Sequence, residues 1–339
     1  MKKNKKFRLG IIGLGFVSQV AHLPAIKKNK KISLVCAAEK NNIILKKVGK
    51  KFNIKKQYVS YEEMINKEKL DGVVLSVQRN STYKIAKYLI KKKIPLLSEK
   101  PAALNYNDAN ALVKQSLKNE CKYFLGYMKI HDEGVKYVKA ILKKKKLGEL
   151  KSVQYKNLSG SSYIGSHNYF KQADNYIKKF SLNRKKINNK KNAFIKFLNS
   201  NCHSINLLRF FFDKIHISKN HLSSNGEGFV IFKDKETLIS FNNIYSNLKN
   251  KWIEELDFYF QDGIVSLKLP SPLTKNHFSS IQIINFKNNK KYFINVKKKR
   301  SFENQIDCFL VYLKSKKFKH HCIAKNCLED IKIISNLLK

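Results

Sequence analysis

Short apolar runs alternate with helical stretches along the first 126 residues of this 339-residue chain. Such alternation is typical of βαβ units, in which the strands are parallel and the helices cover both faces of the sheet. The sequence therefore predicts a doubly wound α/β domain over residues 1–126, built on one parallel sheet. The predicted strands are 7–12, 32–38, 71–77, 94–98 and 121–127.

The alternation stops after residue 126, and residues 127–339 are predicted to form a second, α+β domain. Its apolar runs follow one another with short connections, and Asp262-Gly263 is a hairpin turn signal between two of them. We expect a large, mostly antiparallel open sheet for substrate binding and oligomerisation, and the last helix is free to pack back on the first domain. The predicted strands are 153–158, 228–232, 237–242, 255–260, 263–269, 279–286 and 291–296, and the predicted helices are 134–145, 193–212, 302–314 and 328–338.

The formal charge of +45 allows two interpretations. One is a nucleic-acid or anionic-membrane partner. The other is the composition of an AT-rich genome, which places lysine, asparagine and isoleucine on solvated surfaces. Of the 69 basic residues 64 are lysines spread along the chain, whereas readers of nucleic acids rely on arginine for bidentate and stacking contacts. We therefore expect no nucleic-acid partner, while an anionic substrate would gain from the positive field.

Several further classes are disfavoured by the composition. No stretch approaches the ~20 apolar residues of a membrane-spanning helix, and the basic N-terminus leads into a strand rather than an apolar leader. The six cysteines show no CxxC pairing, which is typical of reduced thiols in a cytoplasmic protein. Cys322 and Cys327 lie near His320 and His321, but the spacing fits no familiar zinc pattern. We expect a cytoplasmic protein with no membrane partner and no metal.

A glycine turn lies between the first predicted strand and the first predicted helix. Gly13 permits the tight turn, Gly15 lets the backbone approach a pyrophosphate, and Ser18 is small enough for the helix to pack on the strand. Phe16 and Val17 complete the turn, and the helix start offers backbone N–H groups to a phosphate. The sequence therefore predicts a dinucleotide cofactor.

Glu39 ends the second predicted strand, 24 residues after Gly15. A carboxylate at this position can accept hydrogen bonds from both ribose hydroxyls and would repel a 2′-phosphate, which favours NAD over NADP. The neighbouring Lys40 could tolerate that phosphate, so NADP stays possible. A solvated carboxylate among lysines is the alternative interpretation of Glu39.

Three polar residues form the candidate catalytic set. Lys100, in Glu99-Lys100-Pro101, ends the fourth predicted strand and could project into the crevice at the carboxyl ends of the strands. Asn199 and His203 are four residues apart in a predicted helix, so they share one face. A histidine on an apolar helix is often a core residue, but it can also exchange a proton near neutral pH. A histidine that takes the proton, a lysine that polarises the hydroxyl or carbonyl oxygen and a nicotinamide that takes the hydride are together the groups that the oxidation of an alcohol needs.

These motifs together resemble the Gfo/Idh/MocA oxidoreductases, the glucose–fructose oxidoreductase and inositol dehydrogenase family, over nearly the whole chain. The resemblance implies a Rossmann domain, an open sheet that commonly forms dimer contacts, and hydride transfer at a sugar or cyclitol carbon. The family's lysine, aspartate and histidine would correspond to Lys100, Asn199 and His203. The motifs are Gly13-x-Gly15-x-x-Ser18, His22-Leu23-Pro24, Tyr61-Glu62-Glu63-Met64, Glu99-Lys100-Pro101, Gly126-Tyr127-Met128-Lys129, Leu147-Gly148-Glu149-Leu150, His203-Ser204-Ile205-Asn206-Leu207-Leu208-Arg209 and Asp262-Gly263.

Two positions depart from the family pattern. Asn199 replaces the usual aspartate, and an amide cannot carry charge or support an imidazolium as a carboxylate does. In the loop predicted after the third strand, Val77 to Thr82, Thr82 stands where the family often has histidine. Arg79 in the same loop could bind an anion or be an exposed loop charge.

The predicted function is an NAD(P)-dependent dehydrogenase or reductase acting on a CH–OH group of a sugar, sugar acid, cyclitol or sugar nucleotide. The alternative is a relative that binds the cofactor but is catalytically weak and acts as a sensor or scaffold. Tyr127 and Lys129 are predicted to line the substrate pocket, and a homodimer or homotetramer is expected. The predicted cofactor-binding residues are Gly13, Gly15, Phe16, Val17, Ser18, Glu39, Lys40, Val77, Arg79, Thr82, Glu99 and Lys100.

Overall fold

The computed structural model describes residues 5–159, 189–245 and 252–338. The chain divides into two compact units. The first unit comprises residues 1–128 and 302–332, and the second comprises residues 129–301 and 333–339. The predicted boundary at residue 126 lies two residues from this division. Residues 302–332, which the sequence assigned to the second domain, cluster with the first unit.

The first unit is built on a parallel sheet of six strands in the order β3-β2-β1-β4-β5-β6. Both neighbours of β1 run parallel to it, and Leu9 lies opposite Leu34 on one side and Gly72 on the other. The predicted doubly wound sheet is therefore confirmed. The strands are β1 (Phe7–Ile12), β2 (Ile32–Ala38), β3 (Lys56–Tyr58), β4 (Gly72–Leu75), β5 (Leu96–Ser98) and β6 (Tyr123–Leu125).

Three helices of the first unit, α2, α3 and α5, begin where the sequence offers a capping side chain. The side chains of Asn41, Ser60 and Asn105 each accept the backbone N–H of the residue three positions later, which satisfies one of the free donors at a helix start. A π-helical turn, Ser18–His22, leads directly into the first helix. The helices are α1 (Leu23–Lys28), α2 (Asn42–Lys51), α3 (Tyr61–Lys67), α4 (Arg79–Lys91) and α5 (Tyr106–Lys118).

Helix α8 (Ser301–Lys314) and the segment after it complete the first unit. Phe309 of this helix lies with its ring centroid 5.9 Å from that of Phe124 in β6. The ammonium group of Lys122 donates to three carbonyls at the helix end, those of Tyr312, Leu313 and Ser315, at 2.7–3.0 Å. This lysine therefore caps α8 and ties it to the last strand of the sheet.

The second unit contains a sheet of eight strands in the order β14-β13-β12-β11-β7-β10-β9-β8. Neighbouring strands are antiparallel except β7 and β10, which are parallel. The predicted large, mostly antiparallel sheet is therefore confirmed. The strands are β7 (Leu150–Ser159), β8 (His216–Leu222), β9 (Gly228–Asp234), β10 (Thr237–Tyr245), β11 (Ile253–Phe260), β12 (Gly263–Lys268), β13 (Ser280–Asn285) and β14 (Lys290–Ile294).

Helix α7 (Asn189–Phe211) covers one face of this sheet. Tyr155 and Phe258 point to that face and are fully buried, and the ring of Phe211 lies 5.1 Å from that of Phe258. The opposite face of the sheet carries residues that are at least partly exposed. The remaining helices of the described chain are α6 (Glu133–Lys144) and α9 (Ala324–Leu337).

The structure adds two edge strands, β3 and β8, that the sequence did not predict. Within the three described ranges, no helix has both the length and the apolar character needed to cross a bilayer. Of the polar segment 161–191, for which the sequence predicts no element, residues 161–188 lie outside those ranges.

Candidate active site

The carboxyl ends of the parallel strands bring the predicted cofactor residues of the first unit to one sheet edge. The segments that follow the strands are joined by backbone hydrogen bonds, from Ser76 to Ile12 at 2.9 Å and from Glu99 to Leu75 at 2.8 Å. Gly126 donates in the same way to Ser98 at 2.8 Å. Ligands of open α/β sheets bind at this edge, so the sequence-predicted residues occupy the expected place.

The glycine turn has the backbone geometry that its residues predict. Gly13 has a φ of +87°, in the region that favours glycine, and a Cβ there would lie 2.2 Å from the carbonyl oxygen of Ser76. The buried hydroxyl of Ser18 donates to the Gly13 carbonyl at 2.6 Å and closes the turn. Gly15 is exposed, and a Cβ on it would meet no atom within 4 Å among the described residues. The turn is thus open at Gly15, where a pyrophosphate needs room.

Glu39 is tied to this turn rather than free among the lysines. Its Oε2 accepts the backbone N–H of Leu14 at 2.9 Å, and its Oε1 accepts that of Asn41 at 3.0 Å. The residue is half-buried, while the following Lys40 is exposed. Each carboxylate oxygen has a second lone pair, so the fixed carboxylate can still accept hydroxyl donors.

The segment after β4 differs from the prediction of a loop. Arg79 is the first residue of α4 and is exposed, and Thr82 lies in the first turn of the same helix and is buried. The helix starts this early because Gln78 adopts the extended backbone of an N-cap residue. Val77, half-buried, lies before the cap, and its Cγ1 would be 2.8 Å from a Cβ on Gly13. The prediction that Arg79 and Thr82 belong to a loop was therefore wrong.

Lys100 lies at the end of β5, between two fixed neighbours. The backbone N–H of Glu99 is bonded to Leu75, and Oε1 of Glu99 lies 2.7 Å from Nε2 of the fully buried His22. On its other side Pro101 is buried, and the Lys100–Pro101 peptide bond is cis. The half-buried Lys100 is thus held at the same sheet edge as the glycine turn.

Asn199 and His203 lie on α7 of the second unit, one turn apart as predicted. Asn199 is half-buried and His203 is 9% exposed. Between them, Cys202 is buried. The helical spacing places the amide and the imidazole on one face, which is the arrangement that two groups acting on one substrate require.

The two predicted pocket residues are both buried. Tyr127, at the end of the first unit's continuous segment, is 1% exposed. Lys129, in the second unit, is 5% exposed, and its ammonium group lies 2.5 Å from Oε1 of Glu254 in β11. Glu254 also accepts from Tyr155 and from the indole of Trp252.

Sequence reasoning did not single out Glu254, Tyr155 or Trp252. A signal for Glu254 was available, because it occupies an inward position of an alternating strand in which Leu256, Phe258 and Phe260 are the other inward residues. An acidic residue at such a position requires a buried partner.

Residues 7–127 match the family model described as Gfo/Idh/MocA, "Oxidoreductase family, NAD-binding Rossmann fold". Among characterised proteins, the myo-inositol 2-dehydrogenase of Thermotoga maritima is 23% identical to this chain over 142 residues. That stretch is 42% of this chain and 42% of the relative, so less than half of the relative's length is matched.

Solved structures resemble the chain over nearly its full length. A putative NADPH-dependent oxidoreductase from Desulfitobacterium hafniense has a TM-score of 0.79 at 13% identity, covering 98% of this chain and 95% of the other. A 3-ketoreductase from Actinomadura kijaniata, in complex with NADP and TDP-benzene, has a TM-score of 0.74 at 12% identity, with 98% and 97% covered. An oxidoreductase from Agrobacterium radiobacter, in complex with NAD+, L-tartaric acid and magnesium, has a TM-score of 0.71 at 14% identity, with 98% and 96% covered. At sequence identities this low, the structural similarity shows that the fold is shared and nothing more.

Proposed function

We propose that this chain, whose residues 7–127 match the model of the Gfo/Idh/MocA oxidoreductase family with an NAD-binding Rossmann fold, is an NAD(P)-dependent dehydrogenase or reductase. The reaction is hydride transfer between the nicotinamide and a hydroxyl-bearing carbon of a sugar, sugar acid, cyclitol or sugar nucleotide. The observation that carries the proposal is the sheet edge of the first unit, where the glycine turn, Glu39 and Lys100 follow strands of one parallel sheet.

The first unit offers the groups that a dinucleotide needs. The open backbone at Gly15 and the N–H groups of the turn after it suit a pyrophosphate. Glu39 is already oriented by Leu14 and Asn41, so its carboxylate can accept ribose hydroxyls without rearrangement. When bound, the nicotinamide supplies the hydride acceptor or donor.

We favour NAD over NADP. The carboxylate of Glu39 is fixed at the glycine turn and would repel a 2′-phosphate. The adjacent Lys40 is exposed, whereas both carboxylate oxygens of Glu39 accept backbone N–H groups at the turn. Glu39 is thus the better placed of the two to decide cofactor choice.

The catalytic roles follow from residue chemistry. His203 takes the proton of the substrate hydroxyl in oxidation and returns it in reduction, since imidazole exchanges a proton near neutral pH. Lys100 donates hydrogen bonds to the reacting oxygen and stabilises negative charge that develops on it. Asn199, one turn from His203, orients the substrate through its amide. Tyr127 and Lys129, both buried, are the residues we propose to line the substrate pocket.

Two substitutions test these roles. Lys100→Met and His203→Ala should each lower turnover by about 10²–10⁴-fold, the usual contribution of a proton-transfer group. Binding of NAD+, measured by calorimetry, should persist in both. Lys91→Met, at an exposed lysine near the end of α4, is the control and should leave turnover unchanged. Near-normal turnover in both test variants would refute the proposal.

The substrate class is a proposal supported by relatives. One relative is named a myo-inositol 2-dehydrogenase, and one structural neighbour is a 3-ketoreductase crystallised with a TDP compound. A screen of inositols, free sugars, sugar acids and nucleotide-linked sugars, with each of the two cofactors, would identify the substrate by the change in absorbance of the reduced nicotinamide. We place the reaction in the cytoplasm, where nicotinamide dinucleotides and sugar nucleotides are held.

Asn199 favours a second candidate function, that of a catalytically weak protein which binds the cofactor as a sensor or scaffold. An amide cannot stabilise an imidazolium on His203 as the carboxylate usual in the family would. The variant Asn199→Asp separates the two. A large rise in turnover would favour the weak enzyme, whereas equal or lower turnover would mark the amide as part of a working site.

The open face of the second unit's sheet supports a homodimer or homotetramer. Ile244, Leu158 and Ile253 stand in register across three adjacent strands on that face, and Ile244 and Ile253 are 46% and 39% exposed. A contiguous apolar row of this kind is typical of an interface. Light scattering after gel filtration should give a dimer or tetramer, and Ile244→Lys with Ile253→Lys should give a monomer. A monomeric wild-type protein would contradict this assembly.

A further inference from the structure

A buried ion pair of the second unit is linked through a tyrosine to helix α7. The ammonium group of Lys129 and the hydroxyl of Tyr155 each lie 2.5 Å from the same oxygen of Glu254. The hydroxyl of Tyr155 also lies 2.9 Å from that of Ser204, the residue that follows His203 on α7. We call these four side chains the α7 anchor. It joins the 3₁₀ turn that contains Lys129, two strands of the sheet and the helix.

The α7 anchor is shielded from water along its whole length. Lys129 is 5% exposed, Glu254 1%, and Tyr155 and Ser204 are fully buried. Burial and the carboxylate of Glu254 raise the pKa of Tyr155 well above its ordinary value, so the tyrosine stays protonated and can donate. Apolar residues of similar volume often replace a buried ion pair without loss of stability. The anchor is therefore better explained by orientation than by stability alone.

Helix geometry separates the anchored side of α7 from the side that carries the candidate catalytic residues. At 3.6 residues per turn, successive side chains are about 100° apart around the axis. Asn199 and His203 therefore lie about 160° on either side of Asn201, whereas Ser204 lies about 60° from it. Asn201 and Ser204 face the sheet, because they bond to Asn157 and Tyr155 of β7. His203 lies about 100° from Ser204 and Asn199 about 140°, so both project from the side of the helix away from the sheet.

A second polar tie lies beside the anchor. Asn243, Asn157 and Glu254 stand in register across β10, β7 and β11, all pointing to the α7 face and all at most 2% exposed. Asn157 donates to Asn201 at 3.1 Å and to Asn243 at 3.0 Å. Hydrogen bonds at two points of α7, Asn201 and Ser204, oppose rotation of the helix about its axis and sliding of the helix along the sheet. A purely apolar contact would oppose these movements less.

We propose that Tyr155 and Glu254 are positioning residues, which, with Lys129, hold α7 in the one rotation that presents His203 and Asn199 on the side away from the sheet. The role in turnover rests on the proposed function of His203. The positioning itself can be measured without a substrate. Small rotations matter because misplacement of a reacting group by about 1 Å can cost 10²-fold in rate.

The test compares variants that each remove one hydroxyl. Tyr155→Phe and Ser204→Ala break the link between the anchor and α7, and Tyr259→Phe is the matched control. Tyr259 lies on the open face of the same sheet, and its hydroxyl is 3.3 Å from Oε1 of Gln154. Protein labelled with ¹³C at histidine Cε1 gives one signal for each of the nine histidines, and that of His203 is assigned with His203→Gln.

In Tyr155→Phe and in Ser204→Ala we expect the His203 signal to move or broaden while the other histidine signals stay in place. Tyr259→Phe should leave all nine unchanged. If every histidine signal moves in Tyr155→Phe, that variant has lost its fold, and the result for Ser204→Ala is then used to test the proposal. A His203 signal identical to wild type in the folded variants would overturn the proposal.

Once a substrate is found, Tyr155→Phe should lower kcat by about ten- to a hundredfold while KM and the affinity for NAD+ change less than about twofold. A role limited to stability would instead lower the melting temperature and leave kcat per folded molecule unchanged. If His203→Ala retains turnover, the proposed function fails, while the histidine spectra still report on the anchor. If His203→Ala is inactive and Tyr155→Phe is fully active, the positioning role alone is refuted.

Discussion

The two glycines of the turn after β1 should respond in opposite ways to the addition of one methyl group. In Gly13→Ala the new Cβ would lie 2.2 Å from the carbonyl oxygen of Ser76 and 2.8 Å from Cγ1 of Val77. In Gly15→Ala it would meet nothing within 4 Å among the described residues. The first change therefore perturbs the folded protein, and the second perturbs the space that the cofactor would fill.

The cost of Gly13→Ala can be estimated in two parts. A non-glycine residue in the left-handed region costs about 1–2 kcal/mol, and overpacking costs about 1–3 kcal/mol. The carbonyl of Ser76 cannot move away freely, because the N–H of Ser76 is bonded to Ile12. The sum is about 2–5 kcal/mol, which for a unit of this size lowers the melting temperature by about 4–20 °C.

Gly15→Ala should leave the melting temperature unchanged or raise it slightly. The φ of Gly15 lies outside the positive range, so alanine can adopt it, and such a change usually stabilises by about 0.4–1 kcal/mol through the unfolded chain. Affinity for NAD+ should nevertheless fall at least about tenfold, which corresponds to about 1.4 kcal/mol. The methyl group would occupy the position from which the backbone approaches the pyrophosphate.

The assay is a pair of measurements on each variant, the melting temperature by scanning fluorimetry and the dissociation constant of NAD+ by calorimetry. The expected pattern is an unstable Gly13→Ala and a stable Gly15→Ala that binds NAD+ poorly. Wild-type affinity in Gly15→Ala would refute the assignment of the cofactor to this turn. Wild-type melting in Gly13→Ala would refute the steric argument.

Three further predictions concern other parts of the first unit. In Glu39→Ser the ratio of NADPH to NADH affinity, measured by nicotinamide fluorescence, should rise at least about tenfold because the repelling carboxylate is gone; an unchanged ratio would count against Glu39 as the selector. Lys122→Met removes three charge-assisted bonds to carbonyls, so it should cost about 2–3 kcal/mol and appear as a lower midpoint in urea unfolding, and an unchanged midpoint would contradict the capping role. Burial raises the pKa of Cys36 and of Cys121 to about 12, so at pH 8 about one thiol in 10⁴ is ionised. Both cysteines should therefore resist alkylation by iodoacetamide, while the half-buried Cys308 reacts. Peptide mass spectrometry can measure the extent of alkylation at each cysteine. Rapid alkylation of either Cys36 or Cys121 at pH 8 would contradict their burial. Because the folded-state pKa values of these two thiols lie above the usual 9.0, the stability that the thiols contribute is complete below about pH 9 and is lost as the pH rises towards 12.

The alternating apolar runs predicted the first sheet well, because buried parallel strands are short, continuous and apolar. Strand β3 was missed because its three residues, Lys56–Tyr58, are polar and lie at a sheet edge. Strand β8, His216–Leu222, was missed for the same reason, since its residues are mostly exposed and show no alternation. Edge strands are defined by the neighbour they pair with, and that information is not local in the sequence.

The glycine turn was predictable because its backbone requirements are confined to a few adjacent residues. The partner of Lys129 was not, because Glu254 is 125 positions away and the two meet only through the fold. The sequence predicted that Lys129 lines the substrate pocket, and the structure shows that its ammonium group pairs with Glu254. Arg79 was assigned to a loop because Gln78, whose side chain makes no capping hydrogen bond, gives no sequence signal for the helix start.

The return of residues 302–332 to the first unit has a consequence for biosynthesis. Strand β6 leaves the ribosome long before α8, and at about 5–20 residues per second the delay is on the order of 10–40 s. During that time Lys122 and Phe124 lack their helix partners, and the backbone N–H of Leu125 lacks the carbonyl of Cys322 that it meets in the finished protein. A nascent chain therefore carries an unfinished nucleotide domain through the synthesis of most of the second unit, and chaperones have their longest access to it in that interval.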